Sequence, residues 1–420
     1  MPLRTIGRTL LMLQLLFLTG KPVCGYSVLT HEAVIDALWD TTYKPLIRKR
    51  FPQTTPEEMK EAHAYAYGGA IIQDMGYYPF GSKFFSDLVH YVRSGDFVMF
   101  LLNDAQNADE LAFALGALAH YASDNIGHPE GVNVAEPLVY HKIRRKFGRT
   151  VTYEDNPTDH IRTEFGFDVL EVARGNYAPE SYHDFIGFKV AKPLLERAFE
   201  QTYSIRMKDI FRDEDLALGT YRHTVSGLLP EMTKVAWAQK RDEIEKANPG
   251  MTHAKFIYNL SRAAYEKQWT DKYQKPGIGA RILAFLFRIV PKIGPLRTLS
   301  LKIPPPQGET LFMKSFNDTL AQLRAYIPEE RDAALRLPNM NFDTGKPTRQ
   351  GDYRMADQTY EKLLVKIADK KVEVTEPLRA NILEFYKDPA QITDRKAIAE
   401  FAALRSAGPA ASQVSGGASQ

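Results

Sequence analysis

The sequence predicts an all-α protein, a multi-helix bundle, and three observations carry that prediction. Helix-start signals recur along the chain. Thr55-Pro56-Glu57-Glu58, for example, combines an N-cap, a proline at the first helical position and a glutamate at the third. Strand signals are confined to Arg149–Glu154 and Lys371–Val374. One long stretch, Leu111–Glu130 (LAFALGALAHYASDNIGHPE), reads as a helix surrounded on nearly every side by small or apolar residues, the pattern of a core helix.

Taken in order, the chain opens on a targeting pattern. Arg4 and Arg8 precede the apolar run Leu10–Leu18, and a polar-to-small region ends at Val23-Cys24-Gly25. That run is shorter than the ~20 residues of a membrane-spanning helix and fits a secretory signal peptide over residues 1–25, cleaved before Tyr26. A secreted or periplasmic mature chain is expected. Thr30 is placed to cap a helix from His31 to about Asp40, and the helix begun at Thr55 runs toward Asp74. Lys83–Arg93 is a shorter amphipathic segment, and Asn156-Pro157 opens a helix holding His160 and Glu164. Further helical patterns cover roughly Phe185–Gln201, Asp213–Leu228, Pro230–Ala247, His253–Tyr273, Glu309–Tyr326, Tyr353–Lys370, Pro377–Tyr386 and Thr393–Ser406. Composition shifts near Gln274–Gly277, which separates an expected domain at 26–273 from a helical C-terminal extension at 274–405. Pro338–Gly351 reads as loop, and residues 406–420 as a low-complexity, disordered tail.

Charge and cysteine usage narrow the function classes. The full chain carries +3, but residues 1–25 hold Arg4, Arg8 and Lys21 and no acid, so the mature chain is neutral. No nucleic-acid footprint follows from the basic pI, and no protein partner is evident. Cys24, the one cysteine, leaves with the signal, so a large core or a bound metal has to stabilise the mature protein without disulfides. With 44% hydrophobic and 25% charged residues, the composition is that of a globular protein.

The chemistry-bearing residues begin in the core helix. His120, Asp124 and His128 stand at i, i+4 and i+8. Each step of four advances only about 40°, so while the helix continues all three project from one side. Burying such groups unpaired costs several kcal/mol, so they are either core residues bonded to backbone and salt-bridge partners or metal ligands. More candidates accompany them. His31 lies just inside the new N-terminus, Asp74 ends the second helix, His90 sits among Leu88, Val89 and Val92, and His160 and Glu164 share one helical face. Each has a bland alternative: a surface pair for His160 and Glu164, a core histidine for His90, a helix stop for Asp74. Imidazole nitrogen and carboxylate oxygen without thiolate form a donor set suited to zinc. His63, His141, His183, His223 and His253 lack carboxylate company and read as structural or solvated.

Together the fragments TH (Thr30-His31), Asp74, His90, HYASDNIGH (His120–His128) and HIRTE (His160–Glu164) resemble the zinc-dependent phospholipase C family. That family includes the N-terminal domain of glycosylphosphatidylinositol-specific phospholipase D, and its trinuclear zinc architecture is shared by single-strand nucleases. The resemblance covers about Tyr26 to Glu164. It implies three zinc ions: one held by Asp74, His90, His120 and Asp124, and a second by His128, His160 and Glu164. The third would be held by His31, a bridging Asp124, and the amino nitrogen and carbonyl oxygen of Tyr26, where the family usually has tryptophan. It also implies hydrolysis of a phosphodiester, most simply a phospholipid head group, with Asp74 able to accept a proton as well as bind metal. Gly277–Ile303 has no acidic residue and alternates cations with apolar residues, the composition for peripheral membrane contact. An ordinary packed helix is the competing reading of that segment. A nuclease on the same metals and a non-catalytic zinc-stabilised binding protein are the rival functions.

Overall fold

The computed structural model describes residues 27–174, 188–222, 225, 241–242, 245–246, 302–327 and 335–407. Tyr26, the expected signal peptide, most of the pattern over Pro230–Ala247, all of that over His253–Tyr273, nearly all of Gly277–Ile303 and the tail beyond Ala407 lie outside these residues. The fold is all-α. Helices α1 (Val28–Leu38), α2 (Lys44–Arg50), α3 (Pro56–Ala70), α4 (Lys83–Tyr91), α5 (Ser94–Asp104) and α6 (Ala108–Gly127) are followed by α7 (Asn133–Val139), α8 (His141–Phe147), α9 (Pro157–Arg174), α10 (Lys192–Tyr203) and α11 (214–222). Helix α12 (Pro306–Tyr326) precedes a two-stranded antiparallel ribbon of β1 (Met340–Asn341) and β2 (Lys346–Pro347). Helices α13 (Arg354–Lys370), α14 (Glu376–Phe385) and α15 (Arg395–Ser406) complete the described chain. No described helix is long and apolar enough to cross a membrane.

Local chemistry accounts for the element ends. Thr55 caps α3 in a full capping box with Glu58. Asn107 caps α6, its side chain accepting from the Glu110 amide at 2.9 Å. Helix α1 starts earlier than expected, with Ser27 rather than Thr30 at the N-cap. The Thr30 hydroxyl is instead spent on Asp168, 2.6 Å away on α9. Neither expected strand forms, because Arg149–Glu154 and Lys371–Val374 find no partner strand and remain irregular. The only ribbon among the described residues lies in the stretch expected to be loop.

Helices α3 and α6 make the most extensive helix–helix contact among the described residues. Two glycines permit it. A Cβ on Gly69 would fall 2.0 Å from the Phe113 carbonyl oxygen, and one on Gly116 2.1 Å from that of Ala66. With the two backbones this close, the residues just past α3 face the histidines of α6.

One hydrophobic cluster runs from Val28 on α1 to Leu404 on α15. Described residues of the expected extension at 274–405 belong to this cluster. The boundary of that extension lies outside the described residues.

Candidate metal centre

Helix α6 ends at Gly127, where the ladder widens into a π-helical turn over His128–Val132. Such turns re-aim side chains and recur at functional sites. Asp74 sits on a 3-10 turn, Ile72–Tyr77, that follows α3 directly. His31 comes from α1, His90 from α4, and His160 and Glu164 from α9. Five separate elements thus aim donors at one place. None of these residues is more than 2% exposed.

Three groups of donors form, each with its atoms within 4.8 Å of one another: His31, His120 and Asp124; Asp74, His90 and His120; and His128, His160 and Glu164. Asp124 is the hub. Its oxygens lie 3.6 Å from His31 Nε2, 3.6 Å from His90 Nε2, 3.1 Å from His120 Nε2 and 3.9 Å from His128 Nε2. Asp74 lies 3.4 Å from His90 Nε2, and Glu164 2.9 Å from His160 Nε2. Every candidate within the described residues is brought together, and His63 stands apart, stacked on Trp39 and bonded to Asp36.

The opposite ring nitrogens are held from behind. His90 Nδ1 faces the Ser86 carbonyl at 2.8 Å, and His120 Nδ1 the Ala70 carbonyl at 2.9 Å. His128 Nδ1 meets Asp343 Oδ1 at 3.0 Å, while His160 Nδ1 lies 3.3 Å from Glu136 Oε2 without a properly formed hydrogen bond. A proton on Nδ1 leaves Nε2 as a lone-pair donor toward the shared centre, the tautomer a metal requires.

Electrostatics point the same way. Burial, with the neighbouring His128, pushes the His160 pKa down to about 3. Burial and His120 likewise hold His31 well below its ordinary value. Both rings are therefore neutral at physiological pH. Burial opposes charge on His90, yet Asp124 and Asp74 outweigh it and raise that pKa to about 10, so the paired carboxylates draw positive charge inward. Both oxygens of Asp74, Asp124 and Glu164 are buried without a properly formed hydrogen bond, as are Nε2 of His120, His128 and His160. A protein does not gather this many unsatisfied polar atoms for packing, since each costs about 1–3 kcal/mol. Cations bound in the three groups would satisfy these atoms, and the nitrogen–oxygen donor set without thiolate suits zinc.

Asp343 and Glu136 are absent from the sequence-derived set. Asp343 lies in a Pro/Gly/Asn-rich loop with no periodicity and meets a histidine 215 positions away. No local pattern announces such a contact. Glu136, an acid within the apolar NVAEPLV, is a weak signal that was available. Burial, with Asp159 and Asp155, raises its pKa to about 9 and keeps it as the acid. Burial also opposes the charge on Asp343, but His128 and Tyr353 outweigh it and lower that pKa to about 2.

The fold and the donor set define the class as an all-α protein with three buried groups of donors fit to hold zinc. Residues 30–213 match the family model described as zinc dependent phospholipase C. No curated protein and no solved structure matches the chain.

Proposed function

We propose that the protein is an extracytoplasmic hydrolase that cleaves the phosphodiester of a phospholipid head group at a centre of three zinc ions. The observation that carries this reading is Asp124, one carboxylate within 3.1–3.9 Å of four imidazoles where the donor groups meet. In this assignment Asp74, His90, His120 and Asp124 hold the first ion, and His128, His160 and Glu164 the second. His31 and Asp124 hold the third with the amino nitrogen and carbonyl oxygen of Tyr26.

Zinc, when bound, supplies a Lewis acid for the phosphoryl oxygens and lowers the pKa of water toward neutrality. The chain's own residues do the rest. Asp74, with Oδ1 turned toward His90, offers Oδ2 to take a proton from the attacking water. The tyrosine rings of Tyr77 and Tyr153 stand 6.0 Å from His90 and 5.7 Å from His160. With Ile161 and Met355 they form an apolar wall that excludes water beside the donors.

Two features favour a lipid over a nucleic acid. The mature chain has no net positive charge to neutralise a polyanion. Phe80, one of two large exposed hydrophobics among the described residues, stands on the turn after Asp74 with a left-handed backbone, φ 65°. A bulky side chain in that region is strained, and such strain clusters at functional loops. Gly277–Ile303 would add a second, cationic contact with the membrane surface.

The test is a panel of phosphatidylcholine, phosphatidylinositol, single-stranded DNA and a chromogenic phosphodiester, each assayed with and without chelator. Chelator-sensitive release of a phosphorylated head group is expected. Cleavage of the DNA alone would transfer the protein to the nucleases, and no turnover by zinc-loaded protein would make it a binding protein.

A further inference from the structure

We propose that Asp343, supplied from outside the family-matched segment, is a positioning residue of the metal centre. The inference rests on the zinc reading above and extends it to residues which that reading does not use.

The geometry has three parts. First, Asp343 Oδ1 accepts a hydrogen bond from His128 Nδ1–H at 3.0 Å, which turns His128 Nε2 toward Asp124 and Glu164, 3.9 Å from each. A carboxylate behind a ligating imidazole fixes its ring plane and makes its free nitrogen a better donor. Second, the carboxylate is itself held. Asp343 Oδ2 accepts from the Tyr91 hydroxyl at 2.8 Å and from the Tyr353 hydroxyl, and the Asp343 carbonyl accepts from Asn133 Nδ2 at 2.7 Å. Helix α4, the start of α13 and helix α7 therefore converge on one residue that is 2% exposed, the first two on its carboxylate and the third on its carbonyl.

Third, the loop is seated along its length. Tyr121 donates to the Pro338 carbonyl at 2.8 Å, Asn339 exchanges hydrogen bonds with Asp96, and Ser94 Oγ bonds both the amide and the carbonyl of Met340. The Phe342 amide donates to the His90 carbonyl, and its ring lies 4.9 Å from the His90 ring. Asn341 Oδ1 accepts from the amides of Asp343 and Thr344, closing an Asx turn that aims Asp343 inward. Gly345 then turns the chain at φ 63°, where a Cβ would lie 2.3 Å from the Asn125 carbonyl oxygen. A loop filling space has no need of a buried carboxylate, since an apolar side chain fills the same volume without the desolvation cost.

The competing account is that Asp343 only ties the loop to Tyr91 and Tyr353. The two are separated by Asp343→Asn and Asn339→Ala in the full chain. The first keeps the size of the side chain but removes its charge. The second loosens the same loop at Asp96 and leaves the carboxylate. Zinc affinity is read by competition with a chromogenic chelator, zinc per chain by elemental analysis, and ligand geometry by the visible spectrum of the cobalt-substituted protein. Asp343→Asn should weaken one ion by about 10–100-fold and alter the cobalt spectrum, while Asn339→Ala matches the parent. If Asp343→Asn does not fold, Tyr353→Phe carries the test: it takes one hydrogen bond from the carboxylate, and a several-fold weakening of the same ion is expected. Parent-like zinc affinity in Asp343→Asn, equal losses in Asn339→Ala, or no loss in Tyr353→Phe overturns the proposal. A parent protein that binds no zinc would instead overturn the metal-centre reading itself.

Discussion

The close approach of α3 and α6 makes Gly116→Ala the sharpest single probe of how the fold serves the site. The added methyl would sit 2.1 Å from the Ala66 carbonyl oxygen, 2.7 Å from the Ala70 amide nitrogen and 2.9 Å from the Gly69 carbonyl carbon. All three are backbone atoms of a packed helix, so none can swing aside. Real contacts of this kind stay above 3.0 Å, so the helices must part by nearly 1 Å. Overpacking on this scale costs about 1–3 kcal/mol, and 3 kcal/mol is about a 150-fold shift toward the unfolded state. The same displacement reaches the metal centre. His120 lies one turn beyond Gly116 and is held by the Ala70 carbonyl at 2.9 Å, while Asp74 follows α3 directly. Parting the helices therefore pulls His120 away from its anchor and from Asp74 together. Urea titration of the chelated protein isolates the packing term, and elemental analysis of the metallated protein reads the effect on the site. A Gly116→Ala protein with an unchanged urea midpoint and full zinc content would refute the reasoning.

Four further outcomes are expected. Purified protein should carry about three zinc ions per chain, and elemental analysis finding one or none would end the trinuclear reading. His160→Ala should abolish phosphodiester hydrolysis yet destabilise the fold less than Asp124→Ala, which strips a carboxylate from four imidazoles; kinetics and thermal melts compare the two. Asp168 is raised to about 6 by burial, against hydrogen bonds from Thr30 and Leu29. Its folded form therefore holds a proton that the unfolded form has lost, stability falls by about 3 kcal/mol as pH rises from 3.8 to 6, and Asp168→Asn should flatten that slope in pH-dependent melts. A chain beginning at Tyr26 should bind one more zinc, and turn over faster, than a chain with one extra residue before it, because only a free amine is a nitrogen donor; equal zinc and equal rates in the two would dismiss that role.

How legible the molecule was depends on the range of each interaction. Capping, periodicity and donor spacing are local, so Arg354–Lys370 falls within a residue of expectation. Pro56–Ala70 starts where its capping box puts it, although it ends four residues short of Asp74, which stands on the following 3-10 turn. The donors of α6 and α9 were readable for the same reason, since i, i+4 pairs on a helix share a face. Helix α1 shows where local reading fails. Thr30 looks like a cap, but a carboxylate 138 positions away claims its hydroxyl. The strand candidates failed for a related reason, since β-branched runs become strands only beside a partner. Asp343 is the extreme case: no spacing rule links an Asx turn in a loop to a histidine at the end of a core helix.

That contact also explains an asymmetry in how the histidines are held. His90 and His120, beside the carboxylates Asp74 and Asp124, rest on backbone carbonyls. His128 and His160, whose own group contains the single carboxylate Glu164, are backed by acidic side chains. Of those two, Glu136 stays protonated and Asp343 carries its charge. A dication facing two carboxylates is half neutralised or better by its direct donors, whereas one facing Glu164 alone is left with more uncompensated charge. On the proposed zinc reading, Asp343, one bond further out, would narrow that difference while leaving the direct donor positions at the second group free for water and substrate. An added carboxylate among the direct donors would have balanced the charge equally well, but would have filled the position the reaction needs.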